Sequence, residues 1–341
     1  MTEFYRAVQA GDSRLARYIA RQAGAECVTI ERIERMSGGA IQQNYSLDVL
    51  LDRERSELVL RTDAQSSIDI SHSRAHEFAI LKVAYDAGVS VAEPLWLCDD
   101  PTIVGAPFFI MRRVAGTAAA ARIVRDSRLG GERATLAERL GGELARIHAV
   151  TPPQPSLVFL ALPQASPALD MIAWGRATLD RFGATPRPVL EWGLRWLERH
   201  APPPGQLVLC HRDFRTGNYL VDDHRVTAIL DWEFAGWGDP TEDLGWFCAR
   251  CWRFGAAALE AGGIGAREAF YRGYERLAGT RVDPAAVHYW EVAAHVRWAI
   301  VALMQADRHL CGAESSLELA LTSHIVPELE FEILELTGDV R

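Results

Sequence analysis

A chain of 341 residues, 49% hydrophobic and 24% charged, has room for two lobes or domains and an ordinary globular composition. Its net charge of −9 works against a broad nucleic-acid surface, and it holds no apolar run long enough to suggest a membrane span. Six cysteines in this length do not make a disulfide framework, and residues 1–22, with Glu3, Arg6, Asp12, Arg14, Arg17 and Arg21, lack the apolar centre of a signal peptide, so a cytoplasmic location is expected.

In chain order, residues 12–24 read as a helix that Asp12 or Ser13 can cap, with Leu15 and Ile19 on one face. Residues 28–33 alternate as a strand does, residues 36–40 turn, residues 44–50 resume the alternation, and residues 57–61 form a third strand. A helix follows over 72–87 with Phe78, Leu81 and Tyr85, then two further strands over 89–97 and 108–114. After Gly116 the character changes. Residues 132–149 are helical, with Leu136, Leu140, Leu144 and Ile147 on one side. Two more helices occupy 168–200, broken at Gly183 and Pro186, and Pro202-Pro203-Pro204-Gly205 stiffens the approach to the next strand. Helices dominate from Glu242 onward, including residues 285–310.

Strands first and helices later predict an α+β chain of two unlike lobes: residues 1–112 with a small antiparallel sheet, and residues 113–341, mostly helical. Between such lobes is a usual place for a nucleotide.

The most informative stretch runs from Cys210 to Asn218, Cys-His-Arg-Asp-Phe-Arg-Thr-Gly-Asn, followed by Ile229-Leu230-Asp231-Trp232-Glu233. His-Arg-Asp, four residues, then Asn is the catalytic-loop pattern of the kinase fold. Phosphoryl transfer passes through a loose transition state, so positioning and charge neutralisation are the protein's main tasks. A hydroxyl acceptor needs a carboxylate to orient it and take its proton, the role expected of Asp213. Magnesium takes hard oxygen ligands, which the Asn218 amide and the Asp231 carboxylate offer. Glu233, two residues further on a strand end, would point to the same side as Asp231 and hold a metal-bound water. His211 is expected to orient the loop by hydrogen bonding.

On the nucleotide side, the turn Ser37-Gly38-Gly39-Ala40 reads either as a plain hairpin or as a backbone cover for phosphates, since glycine permits close approach. Lysine occurs once, at Lys82 on the helix, where a solvated role is expected. Arg61 therefore takes the third-strand position where kinases carry lysine, with Glu77 as its acidic partner. Arginine can hold phosphate bidentately and stays charged. Residues 108–113 form the expected hinge, with Met111 packing on adenine or in the core. Cys248 and Cys251 read as two helical thiols one turn apart rather than a metal pair.

Together these residues resemble the aminoglycoside phosphotransferase and choline kinase superfamily over about residues 33–303. The carrying motifs are His211 to Asn218, Asp231-Trp232-Glu233, Gly238-Asp239-Pro240 and Asp243-Leu244-Gly245. The Asp-Trp-Glu and Gly-Asp-Pro pair looks most like kinase domains fused to acyl-CoA dehydrogenases. The resemblance implies a bilobal, protein-kinase-like fold, ATP or GTP with Mg2+, transfer to a small-molecule hydroxyl, and a buried Asp243 bracing the catalytic loop. Two positions depart from the pattern: Arg61 stands where aminoglycoside enzymes have lysine, and Arg212 where this family often has glycine. A protein kinase is disfavoured, because only a few residues separate Glu233 from Pro240 and no activation segment fits.

The acceptor is ranked as a hydroxyacyl compound or another metabolic alcohol first and an aminoglycoside second. A polycation would need acidic walls, for which Glu242, Asp307, Glu314 and Glu318 are candidates. A choline-type ligand would use Trp237, Trp246, Trp252, Trp290 or Trp298, which also suit the core. An acyl-CoA-like hydroxy acid would want basic residues near the mouth, for which Arg215, Arg250 and Arg297 are candidates; each also suits a solvated or ion-paired position. A nucleotide-binding pseudokinase is the alternative of a different class.

Overall fold

The computed structural model describes residues 14–36, 42–63, 72–182, 186–314 and 316–338. The chain divides into two compact units: the first runs to Ala115 and takes back Thr227–Phe234, and the second holds the remainder.

The first unit is built on a five-stranded antiparallel sheet of β1 (Val28–Arg35), β2 (Gln42–Leu51), β3 (Glu54–Asp63), β4 (Pro94–Cys98) and β5 (Phe108–Arg112), in the order β1-β2-β3-β5-β4. Asp52 and Arg53 both have positive φ, 46° and 81°, which suits the tight two-residue turn joining β2 to β3. The register pairs Tyr45 with Leu60, Leu47 with Leu58, and Leu60 with Ile110. Paired residues share a face, so alternation gathers Tyr45, Leu47, Val49, Leu58, Leu60, Phe108 and Ile110 on one side. Helix α1 (Arg14–Ala23) covers that side with Leu15, Tyr18 and Ile19, all buried. Each such side chain contributes about 1.5–3 kcal/mol of apolar burial at most.

The opposite face carries Val59 beside Met111 and Arg61 beside Phe109. Helix α2 (Arg74–Asp86), capped by Ser73, packs there, with Phe78 and Phe109 ring centroids 5.7 Å apart. The same packing brings Glu77 to Arg61. The strand expected over 89–97 begins only at Pro94. The residues before it are committed elsewhere: Val89 N–H caps α2 through Ala84 O at 3.1 Å, and Ser90 O accepts from Ile229 N at 2.6 Å.

The second unit is mostly helical. Its helices are α3 (Ala120–Arg125), α4 (Arg133–His148), α5 (Pro167–Arg181), α6 (Pro188–His200), α7 (Pro240–Cys248), α8 (Arg267–Ala278), α9 (Pro284–Leu310), α10 (Leu317–Thr322) and α11 (Val326–Thr337). Proline opens α5, α6, α7 and α9, where its missing N–H costs nothing and its fixed φ favours the first turn. The 27-residue α9 is the axis of the core. Its Trp290, Val296 and Ile300 pack with Ile172 of α5, Leu190 and Leu194 of α6, and Leu329 and Ile333 of α11. Short strands β6 (Val208–Cys210) and β9 (Gly236–Gly238) pair antiparallel, and the loop discussed below runs from β6 to β7 (Tyr219–Val221); β8 (Val226–Ile229) follows in sequence and leads into the segment that belongs to the first unit. Among the described residues no helix is long and apolar enough to cross a membrane.

Helices α4 and α8 approach so closely that a Cβ on Gly273 would lie 1.9 Å from the Glu138 carbonyl oxygen. Backbone cannot yield to that, so Gly273→Ala should lower stability by about 3 kcal/mol or more. Gly279, which ends α8 at φ 71° with open space around its Cβ position, sets the control. Gly279→Ala should cost only about 1 kcal/mol, the left-handed penalty alone. Thermal unfolding of the two variants checks the difference; equal losses would contradict the packing described.

Candidate active site

The loop Cys210 to Asn218 leaves β6 and is organised by one carboxylate. Asp243, on the first turn of α7, is completely buried. Its Oδ2 accepts from the His211 backbone N–H at 2.6 Å and its Oδ1 from the Arg212 N–H at 2.7 Å. Oδ2 also meets His148 Nε2 at 3.2 Å, and His148 Nδ1 meets the Tyr274 hydroxyl at 2.9 Å. Burial by itself raises the Asp243 pKa. The His148 hydrogen bond and charge, with the amide donors, outweigh it and hold the carboxyl below its ordinary value.

That anchorage sustains a strained residue. Arg212 has φ 63°, a left-handed conformation that costs a bulky residue about 1–3 kcal/mol. Its Nη2 donates to Trp237 O at 2.9 Å, and its own carbonyl accepts from Arg297 Nη1 at 3.2 Å. The guanidinium fits because Gly236 lacks a side chain: a Cβ there would meet Arg212 Nη1 at 2.7 Å. Glu242 lies 3.4 Å from Arg212 and 3.6 Å from Arg297. Desolvation raises the Glu242 pKa despite both arginines.

At the loop's tip, the Asp213 backbone N–H donates to His211 Nδ1 at 3.2 Å. The Asp213 carboxylate takes Arg215 Nε and Trp246 Nε1 on Oδ1, each at 3.1 Å, and Asn218 Nδ2 on Oδ2 at 2.5 Å. Asn218 Nδ2 also donates to the Asp213 carbonyl at 2.9 Å. The nitrogen end of the amide is thereby committed to Asp213, and its oxygen end is the kind of ligand a hard cation takes.

The first unit holds the other expected site residues. Arg61, buried on β3, places Nη2 2.6 Å from Glu77 Oε1 and 3.0 Å from Asp231 Oδ1. Arg74 Nη1 binds the other oxygen of Glu77, and its Nη2 donates to His72 O at 3.1 Å. Burial alone would lower the Arg61 pKa, but Glu77, Asp231 and Glu233 together raise it, so the guanidinium stays charged. Asp231 also has a positive φ, 65°, and Arg61 touches only one of its oxygens. A carboxylate that keeps one oxygen and is 31% exposed fits a divalent cation. Glu233 is buried, and its carbonyl accepts from His72 N at 3.1 Å. Met111 is half-buried on β5. Ser37, Gly38 and Gly39 lie outside the described residues. Lys82 is exposed and pairs with Asp86 at 3.6 Å.

So Asp213 and Asn218 meet, and Arg61, Glu77 and Asp231 meet. Sequence reasoning missed Arg74, whose signal was its position three residues before Glu77 on one helix face. It also missed Trp246 as the donor to Asp213; a Trp one turn after Asp243 is the trace it leaves. His148, Cys210 and Asp243 place ligand-type atoms within 4.8 Å of one another. This is a hydrogen-bonded core, because both His148 nitrogens are used and the Cys210 thiol, its pKa pushed up by burial, donates to Asp239 O at 3.3 Å.

Asp243→Asn removes the charge that His148 and the amides face, and should cost about 3–5 kcal/mol. A carboxyl with a depressed folded pKa stabilises above its unfolded value of 3.8 and loses that contribution as pH falls through the folded pKa. Acid unfolding should therefore be less steep below pH 3.8 in Asp243→Asn than in the parent. Parallel curves in that window would contradict the assignment.

A family model described as the phosphotransferase enzyme family matches residues 32–280. Among curated proteins, mouse acyl-CoA dehydrogenase family member 10 is 31% identical over 207 residues, 58% of this chain but 18% of that protein. The chain thus spans less than a fifth of that relative. Among solved structures, a Ralstonia eutropha protein assigned as an aminoglycoside phosphotransferase superposes with a TM-score of 0.74 at 19% identity, covering 96% of this chain and 98% of its own. A spectinomycin phosphotransferase, solved with ADP and spectinomycin, does so at 0.64 and 15% identity, covering 95% and 98%. The five-stranded antiparallel sheet and the helical second unit are the kinase-like fold of those neighbours, and the chain belongs to the phosphotransferase enzyme family.

Proposed function

We propose that this protein is an ATP-dependent phosphotransferase that moves the γ-phosphoryl group to a hydroxyl of a small molecule. A hydroxyacyl compound or another metabolic alcohol is ranked ahead of an aminoglycoside. The observation that carries the reading is the Asp213 carboxylate, fixed by Arg215, Trp246 and Asn218 at the tip of a loop that a buried acid holds in place. Family membership supports the reaction class, and a neighbour solved with ADP supports the adenine nucleotide.

In this reading the acceptor oxygen forms a bond to the γ-phosphorus, the bond to the bridging oxygen breaks, ADP leaves, and the hydroxyl proton passes to Asp213. Arg61, oriented by Glu77, serves the phosphates, and Met111 packs on adenine. Ser37, Gly38 and Gly39 as a phosphate cover rest on the sequence alone. Mg2+, when bound, neutralises phosphate charge; Asn218 and Asp231 offer its oxygens, and Glu233 supports them. GTP in place of ATP and a cytoplasmic location belong to the same reading.

The second reading is a nucleotide-binding pseudokinase. It draws on Arg61, whose Nη2 already contacts both Glu77 and Asp231, so phosphates must compete for it. Turnover decides between the two. ADP release should depend on an acceptor hydroxyl and fall about a hundredfold or more in Asp213→Asn. Asn218→Ala and Asp231→Ala should each weaken magnesium-dependent ATP binding by about tenfold or more. Arg61→Ala should slow turnover, whereas Lys82→Ala, on a side chain 57% exposed, should change it little. ATP binding without turnover against a broad set of alcohols would establish the pseudokinase.

A further inference from the structure

Around Asp213 hydrogen-bond donors outnumber acceptors. Arg215 gives only Nε to Asp213; its nearest other contact is Nη1 to Thr216 O at 3.5 Å, the outer limit of a hydrogen bond. The guanidinium lies over the Trp252 ring, 4.8 Å from its centroid. Trp252 is 7% exposed, yet its indole N–H has no acceptor among the described residues. Trp298, whose ring centroid is 5.1 Å from that of Trp252, likewise buries an N–H without a partner. An indole nitrogen only donates, and leaving it unmet when buried costs about 1–3 kcal/mol. Such groups mark a place where a molecule with acceptor oxygens belongs.

Charge points the same way. Arg212 and Arg297 share Glu242, and Arg215 shares Asp213. The Asp243 carboxylate is occupied by His148 and the loop amides. Those hydrogen bonds do not cancel its charge, which Arg212 and Arg297 also face, so the guanidinium left with a single carboxylate is Arg215, and that carboxylate must turn to the acceptor hydroxyl during transfer. Arg215 is then short of countercharge, on a side chain 26% exposed and braced against an aromatic ring. A polycationic acceptor would meet arginine and indole donors at this point. A carboxylate would meet a planar fork that matches it.

We propose that the acceptor is a hydroxy acid: its carboxylate is bound by Arg215 over Trp252 while its hydroxyl faces Asp213. The proposal rests on the phosphotransferase reading and narrows its substrate class. Arg215 is the specificity-determining residue, and the Trp252 N–H supports it.

The test compares three matched acceptor sets with Mg-ATP: the hydroxybutyrate isomers, their amides, and the aminobutanols. ADP release and phosphorylated product are both measured. The acids should exceed the amides in kcat/KM by about tenfold or more, and the aminobutanols should be poorest. Arg215→Gln lowers turnover generally, because Asp213 loses a partner, so the readout is the acid-to-amide ratio. That ratio should fall to near one through KM, and Arg215→Lys should restore part of it. Trp252→Phe keeps a ring under the guanidinium and removes the N–H, and should lower the ratio by a smaller factor; it also serves if Arg215→Gln fails to fold. Preference for amides or aminobutanols, or a ratio unchanged in the variants, overturns this proposal and leaves phosphotransfer standing. No turnover with any set while ATP binds overturns phosphotransfer, and this proposal with it.

Discussion

An ionised carboxylate sealed from solvent is the constraint on which the second unit's chemistry depends. Desolvating Asp243 is expensive, and it is tolerable only because two backbone amides and His148 converge on it. The same three contacts fix the entry to the loop. His211 is pinned by its amide, so its ring can take the Asp213 N–H, and Arg212 is held in a conformation its side chain disfavours. Loss of the charge at Asp243 would leave only the contacts to Trp237, Glu242 and Arg297 to balance that strain.

Arg61 stands on the third strand, and its ion pairs set it apart from a lysine in that place. Glu77 spans two guanidiniums, Arg61 and Arg74, one on each oxygen. Arg61 in turn reaches both Glu77 and Asp231 from one nitrogen. A lysine ammonium could make the same two contacts as a point charge, but it lacks the further N–H groups of a planar fork. Arg212 has a related explanation. Its left-handed φ is the reason glycine would suit the position, and its contacts to Trp237 and Glu242 are what the larger side chain gains there.

Much of this was legible in the chain itself. Alternation over 44–50 and 57–61 located the central strands, because one face is buried and one is not. The helix over 132–149 was located by Leu136, Leu140, Leu144 and Ile147 on one side, since the period of a buried face is local chemistry. The spacing from His211 to Asn218 marked the loop for the same reason. Long-range partnerships were not readable. Residues 89–93 look like a strand, yet they close a helix and receive Ile229 from far along the chain. Trp246 reads as core until its indole is seen on Asp213. Neither fact has a periodicity that could announce it.

The first unit is not continuous in sequence. Thr227–Phe234 return to it after more than a hundred residues that belong elsewhere, and they bring Asp231 to Arg61 and Ile229 to Ser90. On the ribosome, the sheet and α2 emerge long before those eight residues exist. Until they arrive, Arg61 lacks Asp231, the second carboxylate its Nη2 reaches in the finished unit. The amino-terminal unit is therefore complete only after synthesis of the segment that carries Asp231, which makes its last native contacts late ones.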